Sequence, residues 1–181
     1  MSTVEISFEN LLVSGYGDDP DEDANGRLPM SRLGLDEYAC VHGTIRLMIS
    51  GRRVPHMGLF GPDDVCLWEW LAHFHEAQSA FRAEPNARVV VDAAHQSEPA
   101  FVWEREEETG FLTIAACEWS GGVADAQWQK IPFLVDDFFT AHARFRAEAR
   151  EFILREAPHC GLEWWDDWGG GRFENDVPPT V

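Results

Sequence analysis

From Val4 to Ser14 the chain is rich in Val, Ile, Phe and Leu, which predicts a first strand. Gly15-Tyr16-Gly17 interrupts it, and the acidic run Asp18-Asp19-Pro20-Asp21-Glu22-Asp23 follows. Proline, glycine and mutually repelling carboxylates make that run a solvated loop. Tyr38 to Ser50 then alternates, with Val41, Gly43, Ile45, Leu47 and Ile49 on one face and Cys40, His42, Thr44 and Arg46 on the other. A period of two is that of a half-buried strand. Ser50-Gly51-Arg52-Arg53 reads as a tight turn, and Val54 to Phe60 as the returning partner of a hairpin.

The period then changes. Leu67, Trp70, Leu71, Phe74, Ala77 and Phe81 recur at helical spacing and form an apolar stripe. Pro62 suits a first helical position, and Asp63 and Asp64 suit the positive end of the helix dipole, so the helix is expected to open at Gly61 and to stop at Pro85. Strands are predicted over Ala87–Ala94, Ala100–Arg105, Phe111–Trp119 and Ala126–Phe133, the second and third as a hairpin and the last carrying Pro132 near its end. A second helix is predicted over Leu134–Glu156, with Phe138, His142, Phe145, Ala149, Phe152 and Ile153 on one face.

Hairpins without alternating βαβ units predict an α+β fold. The expected architecture is an antiparallel sheet of about six or seven strands with two helices on one face. Residues 1–160 are expected to form this domain and 161–181 an acidic, Trp-rich tail.

Composition sharpens the functional question. Thirty-two acidic residues against fourteen basic ones give a net charge of −18. Such a field repels phosphate backbones and anionic lipid, and it steers basic partners inward. Neither nucleic acid nor membrane is therefore expected as a partner, whereas a basic protein is. No apolar run approaches the roughly 20 residues of a membrane span. The opening Met1-Ser2-Thr3-Val4-Glu5-Ile6 lacks the basic and apolar regions of a secretion signal, which predicts a cytoplasmic protein. Cys40, Cys66, Cys117 and Cys160 lie far apart, as reduced thiols rather than a disulfide framework.

Catalytic and metal motifs are weak. Asp21-Glu22-Asp23-Ala24-Asn25-Gly26 matches the opening half of a calcium loop, but Arg32 stands where the closing glutamate belongs. His73 and His75 are two apart on a helix and point to different sides. Cys40 with His42, and His159 with Cys160, each lack further ligands in sequence. No metal or cofactor is expected. Cys117 with the upstream His95 is the best nucleophile and base pair available, and no elbow or helix N-terminus marks it. A non-enzymatic role is therefore expected. The alternatives are a small enzyme or ligand-binding domain with a scattered site, or an adaptor or stress protein.

The tail carries the strongest pointer. Trp164, Trp165 and Trp168 interleave with Glu163, Asp166 and Asp167. Tryptophan dominates interface hot spots, and carboxylates around it complement lysine and arginine. The expected partner-binding residues are thus Glu163, Trp164, Trp165, Asp166, Asp167 and Trp168, together with Asp18, Asp19, Asp21, Glu22 and Asp23 of the loop. The competing reading is that some of these tryptophans cap the core.

A hairpin leading into Leu67-Trp68-Glu69-Trp70-Leu71, the pair Phe101-Val102-Trp103-Glu104 and Phe111-Leu112-Thr113-Ile114, and the Phe- and Arg-rich helix from Phe138 to Phe152 complete the pattern. In general architecture it resembles the small acidic immunity proteins of bacterial toxin systems. That resemblance implies tight binding of a cognate toxin domain and occlusion of its active site. It covers no shared motif, so it assigns no residue.

Overall fold

The computed structural model describes residues 3–173 except 16, 18, 37, 38, 59, 60, 62, 63, 93–98, 118–121 and 172. The expected sites Asp18 and His95 lie outside the described residues, as do Pro62 and Asp63. The fold is α+β, with strands β1 (Val4–Ser14), β2 (Arg27–Leu28), β3 (Val41–Ile49), β4 (Arg52–Arg53), β5 (Val65–Cys66), β6 (Arg88–Asp92), β7 (Ala100–Glu106), β8 (Thr109–Ala115) and β9 (Ile131–Leu134). The helices are α1 (Leu67–Ala83), α2 (Val135–Glu156) and α3 (Gly161–Asp167), and a 3₁₀ turn covers Met30–Arg32.

All pairings are antiparallel, but the strands form two sheets instead of the one expected. The first runs β2-β1-β3-β4 with β5 also on β3, and the second runs β6-β7-β8-β9. The sheets meet through side chains. Ser50 Oγ donates to the Pro132 carbonyl at 2.8 Å, and Arg52 Nη2 donates to the Gln127 carbonyl at 2.8 Å. Pro132 sits on the edge strand β9 and has no N–H for a further ladder, so the pairing ends there.

Both helices bridge the sheets. α1 packs on β3 and β6, and α2 packs on β1 and β9, around one continuous core. Its centre is aromatic. Phe74 lies edge-on to Phe138, Phe145 and Trp103, while Trp103 stacks on Phe138 at 5.1 Å. The predicted faces hold: Val41, Gly43, Ile45, Leu47 and Ile49 are buried on β3, as is the whole apolar stripe of α1.

Two local expectations are corrected. Ser50 (φ 52°) and Gly51 (φ 73°) form the predicted tight turn, but only Arg52 and Arg53 pair with β3 before the ladder stops. Pro55 has no N–H to continue it, so the described part of the expected partner strand, Val54–Gly58, is not a strand. Likewise α1 starts at Leu67, because Val65 and Cys66 pair with Gly43 and His42 as β5. That pairing removes Asp64 from the helix start and leaves its carboxylate for another use.

Candidate functional site

The acidic loop is largely engaged with its own chain. Asp19 and Asp21 both face Arg32, whose guanidinium forms an ion pair with each. Glu22 accepts from the Gly17 N–H at 2.8 Å, and Asp23 Oδ1 accepts from the N–H groups of Asn25 and Arg27 at 2.8 and 2.9 Å. These carboxylates close turns, as acidic side chains do when backbone donors lie a few residues away, here two to five. The half calcium loop is thus tied by backbone amides and by the arginine at its twelfth position.

The tail divides by face. Trp164 and Trp165 are 0% and 1% exposed and belong to the main core, whereas Leu162 and Trp168 are 53% and 37% exposed. Trp164 Nε1 donates to the Ala39 carbonyl at 2.6 Å. The chain then folds back at Gly170, whose carbonyl accepts from Arg146 Nη2 at 2.6 Å. This corrects the expectation that the segment is an appendage and that Trp164 and Trp165 contact a partner. Two adjacent indoles on a single helical turn are drawn inward because α3 packs on α2, and both side chains join the close-packed main core. Glu163, Asp166, Asp167 and Trp168 remain outside. Trp168 meets Trp68 edge-on at 6.4 Å.

The two acidic segments share an anchor. His159 Nε2 and Cys160 Sγ each donate to the Leu33 carbonyl, at 2.8 and 3.1 Å. Leu33 directly follows Arg32, the partner of Asp19 and Asp21. One turn therefore holds the acidic loop beside the start of α3.

A second constellation was not read from the sequence. β1 carries a bulge: Glu9 pairs with Thr44 and Leu12 with His42, so Asn10 and Leu11 lie against Gly43 alone. Asn10 is left-handed (φ 51°), and its carbonyl comes so close that a Cβ on Gly43 would lie 2.9 Å from it. Bulges of this kind re-aim neighbouring side chains. Beside this one, His42 Nδ1 lies 2.9 Å from Asp64 Oδ1, and the same oxygen accepts from Arg27 Nη2. Arg27 Nη1 also donates to Ser14 Oγ at 2.9 Å. A carboxylate oxygen only accepts, so Nδ1 carries the proton and the Nε2 of the neutral ring offers a lone pair. Burial, and then the Arg27 charge, push the His42 pKa down to about 4. Arg27, His42 and Asp64 line a cleft of about 580 Å³.

The chain matches no family model, no curated protein and no solved structure.

The thiols are poorly set up for nucleophilic work. Burial raises the pKa of Cys66 to about 12, and burial followed by Glu69 raises that of Cys40. Cys160 is likewise raised, by burial and then Glu163. Cys117, the proposed nucleophile, is 3% exposed, and its proposed base His95 lies outside the described residues. Among the described residues no group of three or more His, Cys, Asp and Glu could hold a metal ion. His73 and His75 do diverge: His73 packs against Trp70, and His75 stacks on Phe173. Among the described residues no helix is long and apolar enough to cross a membrane.

Proposed function

We propose that this chain is a non-enzymatic binding protein that captures a basic protein through the outer face of α3, in the manner of an immunity protein that blocks a cognate toxin domain. One observation carries the reading. Glu163, Asp166 and Asp167 are exposed around the exposed apolar side chains Leu162 and Trp168, on a chain of net charge −18. The buried Trp164 and Trp165 hold that face rigid, so little ordering entropy is lost on binding. Carboxylates at the rim speed encounter, and desolvated apolar anchors slow departure. The contact surface so revised keeps Glu163, Asp166, Asp167 and Trp168 and adds Leu162. Arg32, between Asp19 and Asp21, leaves the loop a smaller share.

The test joins partner capture to kinetics. A photoreactive residue at Leu162 should crosslink a basic protein in the cell of origin, and one at the exposed Val90 of β6 should not. Association of that protein with the triple variant Glu163→Lys, Asp166→Lys, Asp167→Lys should slow by about tenfold or more at low ionic strength. All three side chains are exposed, so the midpoint of urea unfolding should move little. An unchanged association rate at low salt, with the fold intact, would reject the α3 face.

A further inference from the structure

The cleft beside the β1 bulge borders the acidic loop at Asp23, but its chemistry points elsewhere. β4 and β5 are two residues each and pair with opposite ends of β3, which leaves a gap along the middle of that strand. Two hollows occupy it. The polar one, about 580 Å³, is walled by Asn10, Asn25, Arg27, His42 and Asp64. The other, about 370 Å³, is walled by Ile45, Val54, Pro55 and Met57, with the exposed Arg53 and His56 also lining it. Both border Gly61, so they are neighbours. Each volume falls within the roughly 300–1,000 Å³ of small-molecule sites, as does their pairing of an apolar body with a few fixed polar groups.

The polar groups restrict what can enter. Arg27 and His42 share one Asp64 oxygen, so that carboxylate is already matched by a permanent cation. A further positive charge there meets the Arg27 guanidinium, and the second carboxylate of the wall, Asp23, is already taken up by the N–H groups of Asn25 and Arg27. An anion meets Asp23, Asp64 and the field of a chain with net charge −18. His42 Nε2 has no partner among the described residues and, with the proton held on Nδ1, can only accept.

We propose that the two hollows form one site for a small uncharged molecule bearing a hydrogen-bond donor, with the donor on His42 Nε2 and the apolar body against Val54 and Met57. Asp64 is the positioning residue: it fixes the imidazole tautomer and so decides that the ligand must donate.

Aromatic probes separate the possibilities, because indole only donates, acetophenone only accepts and benzoate is anionic. Added to the isotope-labelled full chain, indole should shift the His42 ring nitrogens and the amides of Val54 and Met57. Acetophenone and benzoate at the same concentration should not. His42→Phe should weaken indole binding by about threefold to tenfold, the loss of one hydrogen bond. Indole shifts confined to other regions, no shift at all, or acetophenone binding the site as well as indole would each overturn the assignment. The wild-type comparison stands whether or not His42→Phe folds.

Discussion

Acidification from about pH 7 to about pH 4.5 is expected to destabilise the protein steeply, with His142 contributing about 2 kcal/mol of the loss. His142 is fully buried on α2, where its Nδ1 donates to Gln78 Oε1 on α1 at 3.0 Å. Its ring stacks on Phe138 and lies edge-on to Phe74, and its buried Nε2 has no hydrogen-bond partner among the described residues. A proton there would put a second N–H into an apolar wall beside the charges of Arg146 and Arg82. Burial first, and then Arg146, His75 and Arg82, push its pKa down to about 3. Burial also lowers that of His73 to about 4, and His42 lies near 4 as well.

The folded pKa values lie below the ordinary 6.5, so below that pH the unfolded chain binds more protons than the folded one. Stability is therefore complete above about pH 6.5 and declines as pH falls toward the folded values, by about 1.4 kcal/mol per unit for each such histidine. Relief of the −18 charge works the other way and offsets part of this loss. Urea unfolding of the wild type at several pH values checks the slope. His142→Gln lowers stability at neutral pH but should flatten the slope by one proton's worth. An unchanged slope in that variant would show that His142 is not the titrating group.

Trp164→Ala is expected to cost about 3–5 kcal/mol, enough to unfold a protein whose whole stability is of order 5–15 kcal/mol. The indole is 0% exposed, and its loss both empties a cavity beside α2 and leaves the Ala39 carbonyl without its donor. Trp168→Ala should cost about 1 kcal/mol or less, because Trp168 is 37% exposed and its described ring contact is the edge-on pair with Trp68. α3 has seven residues, too few to persist alone, so packing of Trp164 and Trp165 is what makes it a helix. Urea midpoints of the two variants decide the matter. Equal small effects would mean that the segment after Pro158 is not integral to the core.

These two substitutions mark where sequence reasoning about the site reached its end. Trp164, Trp165 and Trp168 sit within five positions and have the same chemistry, and their interleaving acids read alike in a linear string. Helical geometry separates them by direction, and the neighbours of α3 decide which direction is inside. The acids of residues 19–23 show the same limit. Their charge was legible, but the Asp19 and Asp21 pairs with Arg32 require the chain to return eleven to thirteen positions later in register. The cleft was less legible still. Arg27, His42 and Asp64 come from β2, β3 and the segment before β5, and only strand pairing puts Asp64 beside the other two. The one available signal was the oddity of His42 on a strand face with Cys40 and Thr44, which had no evident use.

Periodicity alone determined the α+β class, the faces of β3 and α1, the β7–β8 hairpin and the span of α2, because burying an apolar face of fixed repeat is a local matter of 2.0 or 3.6 residues. Composition determined the sign of the electrostatic field, since charges sum wherever the chain places them. The division into two sheets, the burial of two tail tryptophans and the sharing of Asp64 by Arg27 and His42 were decided only in three dimensions. Each depends on which distant surfaces compete for the same volume or the same lone pair, and no local repeat encodes the outcome of that competition.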